Sequence, residues 1–142
     1  MRKILFVCSG NTCRSAMAEG IFNVMAEKRG ISAAASSCGI SAFAGDEASS
    51  LAIEAAKRYG ADLAAHRARK VCSYALEEAD KVYCMTGAHV RALCQTFPQW
   101  REKIALLARR DISDPWGGDE TIYALAAGEI AKAVSLRLDE LR

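Results

Sequence analysis

The feature that most constrains this chain is its opening, where four consecutive apolar residues, Ile4-Leu5-Phe6-Val7, stop abruptly at a polar, glycine-containing stretch, residues 8–14. An uninterrupted apolar run has no solvent face. It fits a strand buried on both sides, as at the centre of a parallel sheet covered by helices. Directly after the polar stretch, Met17, Ile21 and Val24 recur at helical spacing, and Gly30 supplies a stop. A buried strand that passes through a short loop into a helix is the first unit of an α/β fold.

The rest of the chain repeats that alternation. A second strand is expected near residues 33–37, followed by a helix with Ala48, Leu51, Ala55 and Tyr59 on one face and Gly60 at its end. Residues 81–85 read as a third strand. The helix after it carries Val90, Leu93 and Phe97 and ends before Pro98. Residues 104–107 read as a fourth strand and 111–118 as a loop. Ile122, Leu125, Ala126, Ile130 and Val134 mark one face of a last amphipathic helix. With no linker, repeat or low-complexity stretch, the 142 residues are expected to form one α/β domain, residues 1–142, around a mostly parallel sheet.

Charge and composition exclude several function classes. The 19 basic and 17 acidic residues are scattered and give a net charge of +2, with no basic arm or stripe, so no nucleic-acid partner is expected. No segment approaches the ~20 apolar residues needed to span a bilayer, so no membrane association is expected either. The opening residues lack the layout of a signal peptide, which points to a cytoplasmic protein. Six cysteines are present, at positions 8, 13, 38, 72, 84 and 94. None forms a Cys-x-x-Cys pair, and His66 and His89 match no zinc pattern, so no metal is expected and most of these cysteines read as small core residues.

Cys8 and Cys13 stand apart because they lie in the first loop, Cys8-Ser9-Gly10-Asn11-Thr12-Cys13-Arg14-Ser15. A loop between a parallel strand's carboxyl end and a helix N-terminus lies where α/β sheets bind ligands. Its backbone N–H groups form a concave anion site. Gly10 and Asn11 are residue types that tolerate the left-handed backbone expected of such a cradle. A thiol inside that ring is expected as a nucleophilic thiolate. Arg14, six residues on, can hold two equatorial oxygens of a phosphoryl group with parallel hydrogen bonds. Ser15 can donate to the sulfur as it leaves. Cys-x5-Arg alone is a common chance pattern; its placement between a buried strand and a helix gives it meaning. The GxxxxGK[ST] and GxGxxG nucleotide loops are both absent.

The expected chemistry is covalent: the thiolate attacks phosphorus, and water then hydrolyses the phosphocysteine. It also needs an acid for the leaving group. Ile112-Ser113-Asp114-Pro115-Trp116-Gly117-Gly118 follows the fourth strand on the same edge of the sheet. Asp114 is the candidate acid, Pro115 stiffens the loop, and Trp116 can pack on the substrate side chain.

With these pieces the sequence resembles the low-molecular-weight protein tyrosine phosphatase family. The shared segments are residues 8–15, Met17-Ala18-Glu19 and Asp114-Pro115, with looser likeness at Ser37-Cys38-Gly39, His66-Arg67-Ala68-Arg69, Ala79-Asp80 and Met85-Thr86. The resemblance covers essentially the whole chain. It implies a single three-layer domain with a four-stranded parallel sheet and helices on both faces, and neither metal nor cofactor. It also implies that Asn11, Ser15, Ser37 and His66 form the network that holds the loop, and that phosphorylated proteins or peptides are substrates, with inorganic phosphate as product.

Thr12 refines the substrate. Tyrosine phosphatases of the family usually carry a larger aliphatic residue there, whereas this threonine looks like that of the bacterial protein arginine phosphatases. A smaller, polar side chain leaves room for a nitrogen-linked phosphoryl group and a planar guanidinium, which Asp114 can pair with and Trp116 can stack on. Phosphoarginine in proteins is therefore the expected substrate, with phosphotyrosine as the alternative. Ala16 in place of a common proline, Trp116 in place of Tyr or Phe, and Gly117 in place of a second aromatic depart from the family pattern. A thiol-coupled arsenate reductase is a further reading, for which Cys72, Cys84 and Cys94 are available, but none forms a close pair. A non-catalytic anion-binding module is the last. It is disfavoured because nucleophile, clamp and acid are all present. The five-residue spacing of Cys8 and Cys13 also raises a redox switch, in which a Cys8–Cys13 disulfide protects the oxidised nucleophile.

Overall fold

The computed structural model describes all of residues 1–142. Strand β1 (Arg2–Cys8) is central, as its apolar run requires: Leu5, Phe6 and Val7 are no more than 1% exposed. It pairs in parallel with β2 (Ala33–Gly39) on one side and β3 (Lys81–Cys84) on the other. Strand β4 (Ile104–Leu106) completes the sheet beside β3, giving the order β2-β1-β3-β4 with every pair parallel.

Alternation along β1 divides the core. Ile4, Phe6 and Cys8 face the larger layer, built from α1 (Arg14–Arg29), α2 (Ser50–Lys57) and α5 (Glu120–Asp139). Leu5 and Val7 face the smaller one, formed by α3 (Ser73–Glu78), α4 (Gly87–Thr96) and a 3-10 turn at Pro98–Lys103. Side chains such as Phe6, Phe22, Ile21 and Leu138 are fully buried, each stabilising the fold by about 1.5–3 kcal/mol. No helix is long and apolar enough to cross a membrane.

The expected strands and long helices all form, with shifts at their ends. Helix α1 closes at Gly30, whose φ of 66° places it in the left-handed region. The six-residue α3 and the 3-10 turn were not expected from the sequence; α3 buries only Leu76, too little to leave a periodic signal. One helix face differs from expectation. Ile122 and Leu125 of α5 are exposed, and the buried face is Tyr123, Ala126, Ala127, Ile130, Ala131, Ala133, Val134 and Leu138. The alanines let α5 lie close on the layer below, while Ile122 crowds Gly118, where an added Cβ would come within 2.8 Å of it.

The strand order places the functional edge. In a 2-1-3-4 sheet the chain leaves β1 and β3 toward opposite faces, opening a crevice at their carboxyl ends. The loops after β1, β3 and β4 gather there and are tied together: Met85 N donates to Val7 O, Leu107 N to Cys84 O and Ile112 N to Met85 O.

Candidate active site

The first loop spans the gap between the end of β1 at Cys8 and the start of α1 at Arg14. Its sharpest bend is at Asn11, the one non-glycine residue with positive φ (58°). Gly10 does not adopt the left-handed conformation expected of it; the bend falls wholly on Asn11. The turn aims Asn11 N–H at Cys8 Sγ, at 3.3 Å, and Ser15 Oγ lies 2.8 Å from the same sulfur.

The proton directions follow from Asn11, whose side-chain amide donates to Ser15 Oγ (2.8 Å) and to Ser37 Oγ (2.9 Å). Ser15 accepts from Asn11, so its own hydroxyl is free to donate to Cys8. The Ser37 hydroxyl in turn donates a hydrogen bond to Glu19 Oε1 at 2.6 Å. Asn11 Oδ1 accepts from the Arg69 N–H (3.0 Å), and Asn11 O faces His66 Nε2 at 2.7 Å. A carbonyl only accepts, so His66 carries its proton on Nε2. Asn11 and Ser15 are fully buried, and every polar group of the Asn11 side chain is satisfied, which rigidifies the loop. Gly39, opposite Cys8, allows β2 to come this close: a Cβ there would sit 2.5 Å from Ser9 O and 3.0 Å from Asn11 N.

Arg14 is 5% exposed, and its Nη1 donates to Ile112 O at 2.9 Å, which locks the guanidinium beside the second loop. Its Nη2 lies 3.6 Å from Asp114 Oδ2. Asp114 itself is solvent-exposed and accepts from Trp116 N–H at 3.1 Å through Oδ1. Trp116 projects from this loop at 78% exposure, with no core to hold it. Thr12 is half-buried on the loop, and its carbonyl accepts from Ser49 N–H. Cys13 lies behind the loop, 6% exposed, donating to Ser49 Oγ at 3.4 Å and 3.2 Å from Tyr123 Oη. Burial, and then the contact with Cys13, hold the Tyr123 hydroxyl above its ordinary range, so it stays protonated.

The Cys8 sulfur with two hydrogen-bond neighbours, the buried Arg14 guanidinium and the exposed Asp114 carboxyl group thus meet at one edge of the sheet. No three His, Cys, Asp or Glu residues come together in a way that could hold a metal ion. The family model described as low molecular weight phosphotyrosine protein phosphatase matches residues 3–142. The chain belongs to that family. This low-molecular-weight phosphatase is 32% identical to the protein-arginine-phosphatase of Bacillus subtilis, covering 98% of this chain and 96% of that protein. It is 33% identical to the low molecular weight protein-tyrosine-phosphatase Wzb of Salmonella typhi, covering 87% and 85%. Its fold superposes on the crystal structure of the low molecular weight protein tyrosine phosphatase from T. tengcongensis with a TM-score of 0.95, at 37% identity, over 99% of this chain and 100% of that one. The chain is a cysteine-based protein phosphatase, a hydrolase, with a four-stranded parallel sheet.

The structure brings Cys8, Ser9, Gly10, Asn11, Thr12, Cys13, Arg14, Ser15, Ser37 and His66 together around the first loop and sets Asp114 beside Arg14, while the Trp116 side chain stands exposed and touches none of them. It adds neighbours that the sequence did not mark as part of the site: Glu19, Arg69, Tyr123 and His89. His89 lies on the first turn of α4 with Nε2 2.9 Å from Ser9 Oγ. Its position three residues after the N-cap Thr86, at the carboxyl end of β3, was a usable signal, because any residue there borders the loop after β1. Tyr123 gave no local signal. Of the thiols weighed for arsenate chemistry, Cys84 is buried with its ionisation pushed far up, Cys94 is half-buried and Cys72 is exposed. Cys38 is likewise buried, with its pKa pushed up to about 12 chiefly by desolvation.

Proposed function

We propose that this phosphatase removes phosphoryl groups from arginine side chains of proteins, with Cys8 as nucleophile, Arg14 as phosphate clamp and Asp114 as general acid. The observation that carries the catalytic part is Cys8 Sγ with donors from Asn11 N and Ser15 Oγ, in the same loop as the buried Arg14. An anionic sulfur is stabilised by both donors. The backbone N–H groups of residues 9–15 and two N–H groups of Arg14 take the equatorial oxygens as charge moves onto them. The sulfur attacks phosphorus in line while the P–N bond breaks, and Asp114 delivers its proton to the departing guanidine nitrogen. Water then attacks the phosphocysteine and gives a proton back to Asp114. The sulfur leaves as thiolate, stabilised by the Ser15 hydroxyl, and inorganic phosphate is released.

Thr12 supports arginine over tyrosine. Its short polar side chain leaves the cradle mouth open to a tetrahedral phosphoramidate next to a planar guanidinium, and Trp116 stands free to stack on that plane. The protein-arginine-phosphatases of Bacillus subtilis and Geobacillus stearothermophilus, each 32% identical across nearly the full chain, point the same way. The tyrosine phosphatase relatives favour phosphotyrosine as the second reading. No cofactor, metal, nucleic acid or membrane enters this scheme. The free cysteines suit a reducing, cytoplasmic setting.

The test is phosphate release from peptides matched except for phosphoarginine or phosphotyrosine. Thr12→Ile is expected to lower kcat/KM on phosphoarginine by about tenfold or more, roughly 1.4 kcal/mol, while turnover of phosphotyrosine holds or rises. Equal losses on both would remove the specificity role of Thr12. A Cys8→Ser variant that still turned over would remove the mechanism.

A further inference from the structure

We propose that His89 is a positioning residue for the phosphate cradle: it donates from Nε2 to Ser9 Oγ and so leaves the Ser9 hydroxyl proton to point at the bound phosphoryl group. This extends the phosphatase reading of the same site and rests on it. Ser9 is the residue after the nucleophile, at the exposed mouth of the loop, and His89 lies behind it in the crevice between β1 and β3.

The proton assignment comes from the two ring nitrogens. The imidazole is 7% exposed. Nε2 is 2.9 Å from Ser9 Oγ, whereas Nδ1 is buried and meets no polar atom of the protein. A neutral imidazole has one N–H. Placed on Nδ1, it would be a buried donor without an acceptor, an arrangement native proteins rarely keep. Placed on Nε2, it is satisfied by Ser9, and Nδ1 is left as a bare lone pair. A charged ring would protonate both nitrogens and restore the orphan donor. Burial and the nearby Arg14 guanidinium both favour the neutral ring, against weaker opposition from Asp111 and Asp114.

With Nε2–H donating, Ser9 Oγ is an acceptor toward His89, and its own O–H must find a partner on the open side. On the proposed function, that exposed side is where the phosphoryl group sits. The turn that carries the ring is held in place: the His89 backbone N–H donates to the N-cap hydroxyl of Thr86 at 3.2 Å, and Asp111 Oδ1 accepts from Gly87 N–H at 2.8 Å. His89 therefore acts through Ser9 and not by touching substrate. A side-chain donor is added to the ring of backbone N–H groups, on the flank of the cradle that faces β3.

Inorganic phosphate binding to the full chain, followed by calorimetry, tests this without turnover. Ser9→Ala and His89→Phe are each expected to weaken phosphate binding by about tenfold, the scale of one hydrogen bond to a charged acceptor. The double variant is expected to be no weaker than either single one, since both remove the same contact. His89→Gln, whose amide N–H reaches the place of Nε2, is expected to bind within about twofold of wild type, and His89→Asn, which mimics Nδ1, is not. Long-range proton–nitrogen NMR spectra of the wild-type protein are expected to show the Nε2–H tautomer, a readout that stands even if a variant fails to fold. An Nδ1–H tautomer, additive losses in the double variant, or unweakened phosphate binding by His89→Phe would overturn the proposal. If the phosphate pattern holds but no phosphopeptide is hydrolysed, the catalytic reading falls and the His89–Ser9 assignment survives.

Discussion

Asn11 shows how much a single residue contributes to this site. Its left-handed backbone turns the chain so that its N–H meets Cys8, and its side chain binds Ser15, Ser37 and the Arg69 N–H at once. Asparagine is among the few residues besides glycine that visit this conformation readily, and glycine would supply the bend without the network. Asp114 is the opposite case. It is exposed, anchored only by Trp116 N–H and the Arg14 contact, and therefore free to follow a leaving group. Asp114→Asn is expected to lower kcat by about 10²–10⁴ on substrates with poor leaving groups, the usual range for a general acid. The defect is expected to shrink on activated aryl phosphates, whose leaving group hardly needs a proton. A uniform defect across leaving groups would assign Asp114 a purely positional role.

Among the elements, β2 and α5 both touch the first loop. The end of β2 presses on the first loop at Gly39, where any side chain would meet backbone atoms of Ser9 and Asn11 that cannot swing away. Gly39→Ala is expected to cost about 1–3 kcal/mol of stability, the range for an overpacked core, read from the midpoint of urea unfolding. Phosphate affinity should fall with it, because the displaced atoms belong to the cradle. Unchanged stability and affinity would show that β2 can slide aside. From α5, Tyr123 meets the Cys13 thiol, which also donates to Ser49 at the N-cap of α2. The proposed redox switch must break those contacts. Peroxide oxidises Cys8 to the sulfenic acid, and the Cys13 thiol attacks it, forming the disulfide and releasing water. Dithiol treatment after mild peroxide is expected to restore wild-type activity and to fail in Cys13→Ala, each compared with its own untreated protein. Full recovery of Cys13→Ala would exclude Cys13 as the resolving thiol.

For the molecule as a whole, a buried imidazole makes stability depend on pH. His89 is held below the ordinary histidine value of 6.5, first by burial and then by Arg14. The unfolded chain takes up a proton near pH 6.5, and the native protein does so only at lower pH. Between those two values the unfolded state binds more protons, so stability rises with pH there and is lost as pH falls. The urea midpoint is expected to drop between about pH 7.5 and 5.5, and His89→Gln is expected to remove part of that slope. Identical slopes in the two proteins would show that His89 titrates no differently in the folded and unfolded chain.

Local order in the chain was enough to determine the central strand, the first loop that holds Cys8 and Arg14, the four parallel strands and the long helices. The reason is physical: Ile4-Leu5-Phe6-Val7 has only one way to be buried, and residues 8–15 are contiguous, so their chemistry is written in order. Asp114 was legible because its loop follows a strand on the same edge. Only the tertiary structure decided the rest. Which face of α5 is buried depends on how closely its alanines approach α1, not on the spacing of Ile122 and Leu125. Glu19 of α1, Arg69 of the loop before α3 and Tyr123 of α5 come together here from distant parts of the chain, and no short-range pattern records such a meeting. Their roles depend on hydrogen-bond geometry across strands and helices, which exists only once the sheet has set β1 between β2 and β3.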